Sequence, residues 1–349
     1  MVNRIVGVDI GTTSLRAVEI ENPDKPKPLF SAYATVPLPA GAVERGEVVE
    51  PNTVAQCLKR LWSIGRFKSR VAVLGMGNQR VLVRDLTVPL APRERVREAL
   101  PFQVQDMLPL PVGDALLDFY AVAESQSDTG PVLSGLLVAA VKEAVLANVR
   151  ATEKAGLRAS DVDLIPFALA RVLATRAQLR GTFALVDIGA ATTNVVIVKH
   201  GVPQFVRIIP AGGSDVTRAL QSVLQVDVDT AERQKREFGL VRRAESADER
   251  RVADVLLETT GELLTSLRNT VNYYVNTRPD ERVEGIILTG GGSLLTGLPE
   301  ALSEMSRIPV HPGDPFRVVG LSRNVSAEAL RIDRPSLSVA LGLALRRAA

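Results

Sequence analysis

Residues 5–20 read Ile5-Val6-Gly7-Val8-Asp9-Ile10-Gly11-Thr12-Thr13-Ser14-Leu15-Arg16-Ala17-Val18-Glu19-Ile20. Ile5 to Val8 is a short run of β-formers, and Leu15 to Ile20 alternates in character as a strand with two unlike faces does. The Gly/Thr turn between them therefore joins two strands of a hairpin. It does not open a helix, which separates it from a P-loop and from a dinucleotide fingerprint. The pattern returns at Ala184-Leu185-Val186, Asp187-Ile188-Gly189-Ala190-Ala191-Thr192-Thr193 and Asn194-Val195-Val196-Ile197-Val198, and the tetrapeptides 8–11 and 186–189 are identical. One repeat at so long a separation means two related halves rather than a solenoid period.

Each half continues alike. Leu29 to Val36 and Gln204 to Ile209 read as third strands, and Thr53 to Ile64 and Val216 to Leu224 as amphipathic helices. A late strand, Gly285 to Thr289, runs into Gly290-Gly291-Gly292-Ser293, and Leu294 to Met305 then reads as a helix interrupted early by Gly297 and Pro299. Segment 37–51, with Pro37, Pro39, Gly41, Gly46 and Pro51, reads as a loop. Between the halves, segment 85–163 holds a helix at Pro92 to Asp106, strands at Leu116 to Ala123 and Leu133 to Ala140, and a helix at Lys142 to Ala155 that Gly156 stops. This α+β block interrupts the first half as an inserted subdomain.

Composition narrows the function. The 349 residues imply about two domains, and 46% apolar with 23% charged residues is the balance of a globular chain. The apolar run Val132 to Val141 is broken by Ser134 and Gly135 and stops at Lys142, short of the ~18–20 uncharged residues of a membrane span. The N-terminus lacks the apolar core of a secretory signal, so the chain is expected to stay in the cytoplasm. Cys57 is the single cysteine and His200 and His311 the only histidines, which argues against disulfides, a His/Cys metal site and a His-dependent triad. The net charge of +3 is spread along the chain, and the densest run, Arg242 to Arg251, mixes both signs as a solvated helix face or loop does. With aromatics at 4%, no nucleic-acid stripe is expected.

The glycine turns suit a polyphosphate. Gly11 and Gly189 remove a Cβ that would block close approach, and Thr12, Thr13, Ser14, Thr192 and Thr193 add hydroxyls beside backbone N–H donors. Asp9 and Asp187 close their strands and face each other across the two halves, as a carboxylate pair holding hydrated Mg2+ would. Gly290, Gly291 and Gly292 leave bare backbone for a nucleoside.

This ordered set resembles the actin/Hsp70/sugar-kinase superfamily, whose phosphate and adenosine motifs match Asp9–Ser14, Asp187–Thr193 and Leu288–Ser293. Its connecting helices match Asp163 to Ala170 and Ser336 to Arg346, the latter apolar nearly all round and so expected to be buried. The resemblance covers essentially the whole chain. It implies a two-lobed α/β fold of the ribonuclease H-like duplicated type, with subdomain 1A at 1–84, 164–182 and 331–349 and the inserted 1C at 85–163. Subdomain 2A then takes 183–215 and 283–330, and 2B takes 216–282. An insertion at this place resembles the FtsA-like branch. Ile208-Ile209-Pro210-Ala211-Gly212-Gly213-Ser214-Asp215-Val216-Thr217, Ala231-Glu232-Arg233-Gln234-Lys235 and Val162 to Arg171 are similar to the pilus-assembly PilM family, as is a chain that stops at Ala349 directly after Arg346-Arg347.

The resemblance implies ATP and Mg2+ as cofactors. Gly11, Thr12, Thr13, Ser14, Gly189, Ala190, Ala191, Thr192 and Thr193 would hold phosphates, and Asp9 and Asp187 would hold Mg2+ through waters. Arg16 falls where actin has a phosphate-contacting lysine. Gly213, Gly290, Gly291, Gly292 and Ser293 would line the nucleoside, with Glu232 and Lys235 at ribose or adenine. Residues 164–177 contain no Gln, Glu, Asp or His to orient water, and Ala190 stands where actin has a carboxylate, so tight binding with very slow hydrolysis is expected. The resemblance implies a scaffold whose partner is the N-terminal cytoplasmic peptide of PilN, bound in a nucleotide-dependent way between 1A and 1C, where segments 71–90 and 101–120 border the groove. The inner-membrane PilN/PilO complex would recruit the chain to the membrane's inner face without direct insertion, and self-association is admitted. Two other readings stay open. One is an FtsA-like division or filament protein. The other is a small-molecule kinase, for which Asp85 and Asp118 are the available bases.

Overall fold

The computed structural model describes residues 2–128, 130–241, 244–328 and 330–345. Arg242 and Arg243 of the mixed-sign run, and residues 346–349 at the end of the closing segment, lie outside the described residues. The chain opens with strands β1 (Arg4–Ile10), β2 (Ser14–Glu21) and β3 (Leu29–Pro37), then a small hairpin of β4 (Val43–Glu44) and β5 (Glu47–Val48). Helix α1 (Pro51–Gly65) and strand β6 (Val71–Met76) follow. The segment read as the insertion opens with β7 (Val81–Pro89), α2 (Arg93–Gln103), β8 (Ala115–Ser127) and β9 (Gly130–Val141), and it ends with α3 (Lys142–Lys154), whose Ala147 and Ala151 pack into the first lobe's core beside Leu58 of α1. Strand β10 (Arg158–Leu164) and helix α4 (Ile165–Ala170) lead to the second half. There, β11 (Thr182–Ile188), β12 (Thr193–Lys199) and β13 (Val202–Ile209) precede α5 (Gly213–Leu224), α6 (Val228–Phe238), α7 (Ala247–Thr277), β14 (Gly285–Thr289), α8 (Leu298–Ser306) and β15 (Val310–Pro312). The chain returns through β16 (Gly320–Leu321), α9 (Leu330–Asp333) and α10 (Ser338–Ala344).

The two large sheets share one topology. Their strand orders are β3-β2-β1-β6-β10, with β16 added outside β3, and β13-β12-β11-β14-β15. In each, a three-stranded antiparallel meander is extended by parallel strands on the far side of its first strand. The tetrapeptide repeat is thus the visible trace of a duplicated lobe. The insertion builds its own antiparallel sheet, β7-β9-β8, covered by α2 through Val96 and Leu100.

Helices α4 and α10 cross between the lobes, and one apolar core runs through them from Val18 and Phe30 to Leu185 and Val196. The crossing leaves no room for side chains at two glycines: a Cβ on Gly342 would lie 2.2 Å from the Ala168 carbonyl oxygen, and one on Gly7 would lie 2.0 Å from that of Ala340. No helix among the described residues is long and apolar enough to cross a membrane.

Several local expectations shift. Segment 37–51 is not all loop, because Val43 and Val48 pair across β4–β5 and are buried. The first connecting helix begins at Ile165 rather than Asp163, since β10 runs on to Leu164, and it passes into a π-helical turn over Arg171–Thr175. The Gly290–Gly292 run opens a 3-10 turn, Gly291–Leu294, not a helix; Gly297 at φ +85° resets the backbone before α8 starts at Leu298. The helix read at Pro92 to Asp106 ends at Gln103, with a separate 3-10 turn over Gln105–Met107.

Candidate functional site

The two hairpin turns are closed in the same way. Gly11 N–H donates to the Ser14 carbonyl at 3.1 Å, and Gly189 N–H to that of Thr192 at 2.9 Å. A Cβ on either glycine would sit 2.9 Å from the same carbonyl, so the tightness of the turn, not its sequence alone, demands glycine. Asp9 and Asp187 stand one residue before the ends of β1 and β11, 8% and 7% exposed, and the Asp9 charge acts on Asp187 across the lobes. The turns thus bring both carboxylates to one place between the sheets.

Their surroundings differ. Asp9 is paired in register with Arg16, whose Nη1 lies 3.6 Å from Asp9 Oδ2. Burial raises the Asp9 carboxyl and Arg16 pulls it back down in part. Asp187 faces Asn194 in register, and it takes part in no ion pair among the described residues. Burial, and then the Asp9 charge, push its carboxyl from 3.8 up to about 7. Ser14 Oγ is buried with no hydrogen-bond partner, and so is Asn194 Oδ1. No group of three or more metal-ligating side chains is found among the described residues, so these two carboxylates are what this place offers a cation.

Other candidate residues have structural partners. Thr193 Oγ1 donates to the Ala211 carbonyl at 2.7 Å, which ties the second turn to the segment entering α5. Gly213 and Ser214 N–H donate to the Gly189 and Ala190 carbonyls at 2.9 and 2.7 Å, so the start of α5 is stitched to the turn. Gly212 N–H donates to Asp215 Oδ2 at 2.7 Å, closing that helix end. Thr12 and Thr13 lie at the turn's solvent side, Thr13 exposed, while Ala191 is buried.

Glu232 and Lys235 do converge on the start of α5. Lys235 Nζ donates to the Gly213 carbonyl at 3.0 Å, to Thr217 Oγ1 at 2.9 Å and to Glu232 Oε2 at 2.5 Å. Thr217 Oγ1 donates to Glu232 Oε2 at 2.7 Å, and Arg236 Nε to Glu232 Oε1 at 2.9 Å. Burial opposes ionisation of Glu232, but these donors and charges outweigh it and hold its carboxyl below the usual range. Lys235 is thereby enclosed, and Glu232 carries the more open edge.

The adenosine-motif glycines are explained largely by packing. A Cβ on Gly290, at φ +87°, would lie 2.4 Å from the Ile188 carbonyl oxygen, and one on Gly292 would lie 2.3 Å from Ile188 Cγ2. Gly291 is the open one, its nearest atom Ser336 Oγ at 3.6 Å. Ser293 Oγ donates back to the Gly290 carbonyl at 2.6 Å. The two carboxylates named for a kinase are engaged elsewhere: Asp85 with Arg278 at 2.9 Å, and Asp118 with Arg97 at 2.9 Å.

A second feature escaped assignment from sequence. A cavity of about 420 Å³ lies where β6, β10 and α4 meet the inserted sheet. Met76, Val162 and Phe167 line it together with Phe119 and Tyr120 of the inserted sheet, and the Tyr120 and Phe167 rings pack at 4.8 Å. Arg171 lines it too, paired with Asp163 at 2.8 Å while donating to the Gly342 carbonyl of α10 at 2.7 Å. Pro203 of β13 completes the wall from the second lobe. Segments 71–90 and 101–120 both contribute lining, but β10, α4 and β13 reach it only through the tertiary fold.

Comparison with known proteins agrees with this architecture. The chain aligns with a chain of a PilM-PilN type IV pilus biogenesis complex at 30% identity and a TM-score of 0.85, covering 98% of each. It shares its fold with MreB5 of Spiroplasma citri bound to ADP, at 14% identity and a TM-score of 0.53, covering 97% of this chain and 94% of that one. It is also 26% identical over 213 residues to the cell division protein FtsA of Neisseria meningitidis serogroup B (strain ATCC BAA-335 / MC58). That match covers 55% of this chain and spans about half, 49%, of that relative's length. Residues 7–348 match the family model of the type IV pilus assembly protein PilM, and the chain belongs to that family.

Proposed function

We propose that this chain is an actin-like, ATP-binding scaffold of type IV pilus assembly that takes the N-terminal tail of PilN into the cavity beside the inserted sheet. The observation that carries the reading is that cavity. An apolar slot between the edge of one sheet and a second sheet is suited to an extended peptide, whose side chains fill pockets while its backbone is held by strand edges. The 30% identity over 98% of the chain to part of a PilM–PilN complex supports PilN as the occupant. A membrane-anchored PilN, with PilO beside it, would hold the chain at the inner face of the membrane from the cytoplasmic side.

The residues between the lobes fit Mg-ATP. Two buried carboxylates, one of them in no ion pair among the described residues, call for positive charge, and the partnerless Ser14 Oγ has capacity for a phosphate oxygen. Asp9 and Asp187 would hold Mg2+ through waters, the turns Gly11–Ser14 and Gly189–Thr192 the phosphates, and Gly213, Gly291 and Glu232 the nucleoside. The nucleotide supplies charge that binds the two lobes together. ADP in the MreB5 relative supports the same use of the fold here. Residues 164–177 place no carboxylate or carboxamide near this point, and Arg171 is engaged by Asp163 and Gly342, so hydrolysis is slow. Turnover approaching ~10 s⁻¹ would contradict that part.

Calorimetric titration of a synthetic PilN tail peptide into the purified chain with Mg-ATP tests the whole reading. Saturable binding that Phe167→Ala weakens is expected; no binding in the presence of nucleotide removes the proposal.

A further inference from the structure

The cavity is walled by both lobes, and one guanidinium bridges them next to it. Pro203 enters from β13 of the second lobe, whereas the sheet it faces is carried by the first. Arg278, just past the end of α7, donates from Nη2 to Asp85 Oδ2 at 2.9 Å, across to β7. The same nitrogen lies 3.5 Å from the Gln204 carbonyl, next to Pro203, and the guanidinium stands 4.8 Å over the Tyr274 ring. Tyr274 is itself fixed: its hydroxyl donates to Glu281, which is held in turn by Lys199 at 2.8 Å.

Arg278 is therefore ordered on its own lobe before it meets Asp85, while Asp85 is 63% exposed and free to part from it. An ion pair that open is worth up to about 1 kcal/mol. Such a contact does not hold a fold together, but it suits a joint that opens and closes. Neither partner lines the cavity.

Resting on the PilN-peptide reading, we infer that Arg278 and Asp85 clasp the inserted sheet to the second lobe and so set the width of the cavity, coupling peptide held there to nucleotide held between the hairpins. Mg-ATP draws the second lobe toward the first. Pro203 and Arg278 move with it, so the part of the cavity wall that the second lobe supplies shifts against the inserted sheet. The coupling is reciprocal: peptide changes nucleotide affinity by the factor that nucleotide changes peptide affinity. Arg278 and Asp85 are positioning residues, acting through the wall they hold.

Two readouts test it. The first is the ratio of PilN tail-peptide affinities with and without Mg-ATP. Arg278→Ala and Asp85→Ala should each reduce the part of that ratio owed to the clasp, up to about fivefold, the factor that about 1 kcal/mol gives. The exchange Asp85→Arg with Arg278→Asp should regain part of it. The second readout needs no peptide. Because Cys57 is the single cysteine, spin labels at Gln126→Cys and Asp280→Cys in a Cys57→Ser background report the distance between the inserted sheet and the second lobe. Mg-ATP should displace that distance in the parent and displace it less in Arg278→Ala. If the peptide binds but the ratio is the same in all variants, the clasp is wrong and the binding reading stands. If the peptide does not bind at all, the binding reading fails, and the label distances alone decide the clasp: an equal displacement in parent and Arg278→Ala overturns it.

Discussion

The two hairpins have one backbone and two electrostatic characters. Asp9 and Asp187 occupy equivalent positions, before turns closed by the same glycine-to-carbonyl hydrogen bond. Across the hairpin, however, Asp9 meets Arg16 and Asp187 meets Asn194. The first carboxylate has a resident cation. The second has a neutral cross-strand neighbour and a like charge across the lobes, with Arg16 acting on it only through its charge, and its carboxyl is pushed up to about 7. The two hairpins share their turn geometry while their charge balance differs, so on the proposed reading Asp187 is the carboxylate that an external cation would neutralise.

The largest test breaks that asymmetry outright. In Asp187→Asn the carboxylate that a magnesium ion would neutralise is gone, so the rise in melting temperature given by excess Mg-ATP should vanish. The same variant should melt higher than the parent without nucleotide at pH 8, because a buried charge has been removed. Thermal shift with and without Mg-ATP reads both. A variant stabilised by Mg-ATP as fully as the parent would show that Asp187 is a bystander.

A second effect is in pH. Unfolded, Asp187 ionises near its ordinary 3.8; folded, it ionises near 7. Between those values the folded chain holds the extra proton, so nucleotide-free stability should fall as pH rises from about 4 to 7 and level off above. Mg-ATP affinity should move the other way, weakening below pH 7 as the proton competes with the cation, by at most about tenfold per unit. Flat curves for the parent, or curves unchanged in Asp187→Asn, would remove Asp187 as their source.

Making the first hairpin resemble the second should have an intermediate effect. Arg16→Gln leaves Asp9 without its cation, so Asp9 should also be pushed upward and the acid weakening of Mg-ATP binding should become steeper than in the parent. Titrations that superimpose on the parent would mean that Arg16 is an ordinary strand charge. Smaller again is the contrast between glycines. Gly290→Ala meets the Ile188 carbonyl at 2.4 Å in a left-handed backbone, whereas Gly291→Ala meets nothing nearer than 3.6 Å. Denaturant melts should therefore show a loss of ~1 kcal/mol or more for Gly290→Ala and little for Gly291→Ala. Equal losses would refute packing as the reason for Gly290.

What could be read from the chain was local or repeated. The hairpin at Ile5 to Ile20 and its copy are set by alternation and by turn glycines, and the identical tetrapeptide disclosed the second lobe. The inserted sheet showed through strand-length apolar runs in segment 85–163. Helix α7 was not read beyond its charged start, because Leu263, Leu264, Leu267 and Val271 pack on the second lobe's sheet in a mixed polar sequence. The roles of single candidates were less legible. Whether Lys235 faces a ligand or its helix neighbours depends on the turn of α6 against α5, which local sequence pattern does not specify. The cavity was hidden for the same reason: Met76, Phe119, Phe167 and Pro203 are scattered along the chain, and only the crossing of three sheets brings them together.

The proposed grip of the two aspartate hairpins on a magnesium nucleotide is tested most directly by titrating Mg-ATP into the parent chain, Asp9→Ala and Asp187→Ala at pH 8 in a calorimeter. One saturable site in the parent, lost or strongly weakened in both variants, is the expected result. No heat of binding in the parent, or equal binding in all three, would contradict it.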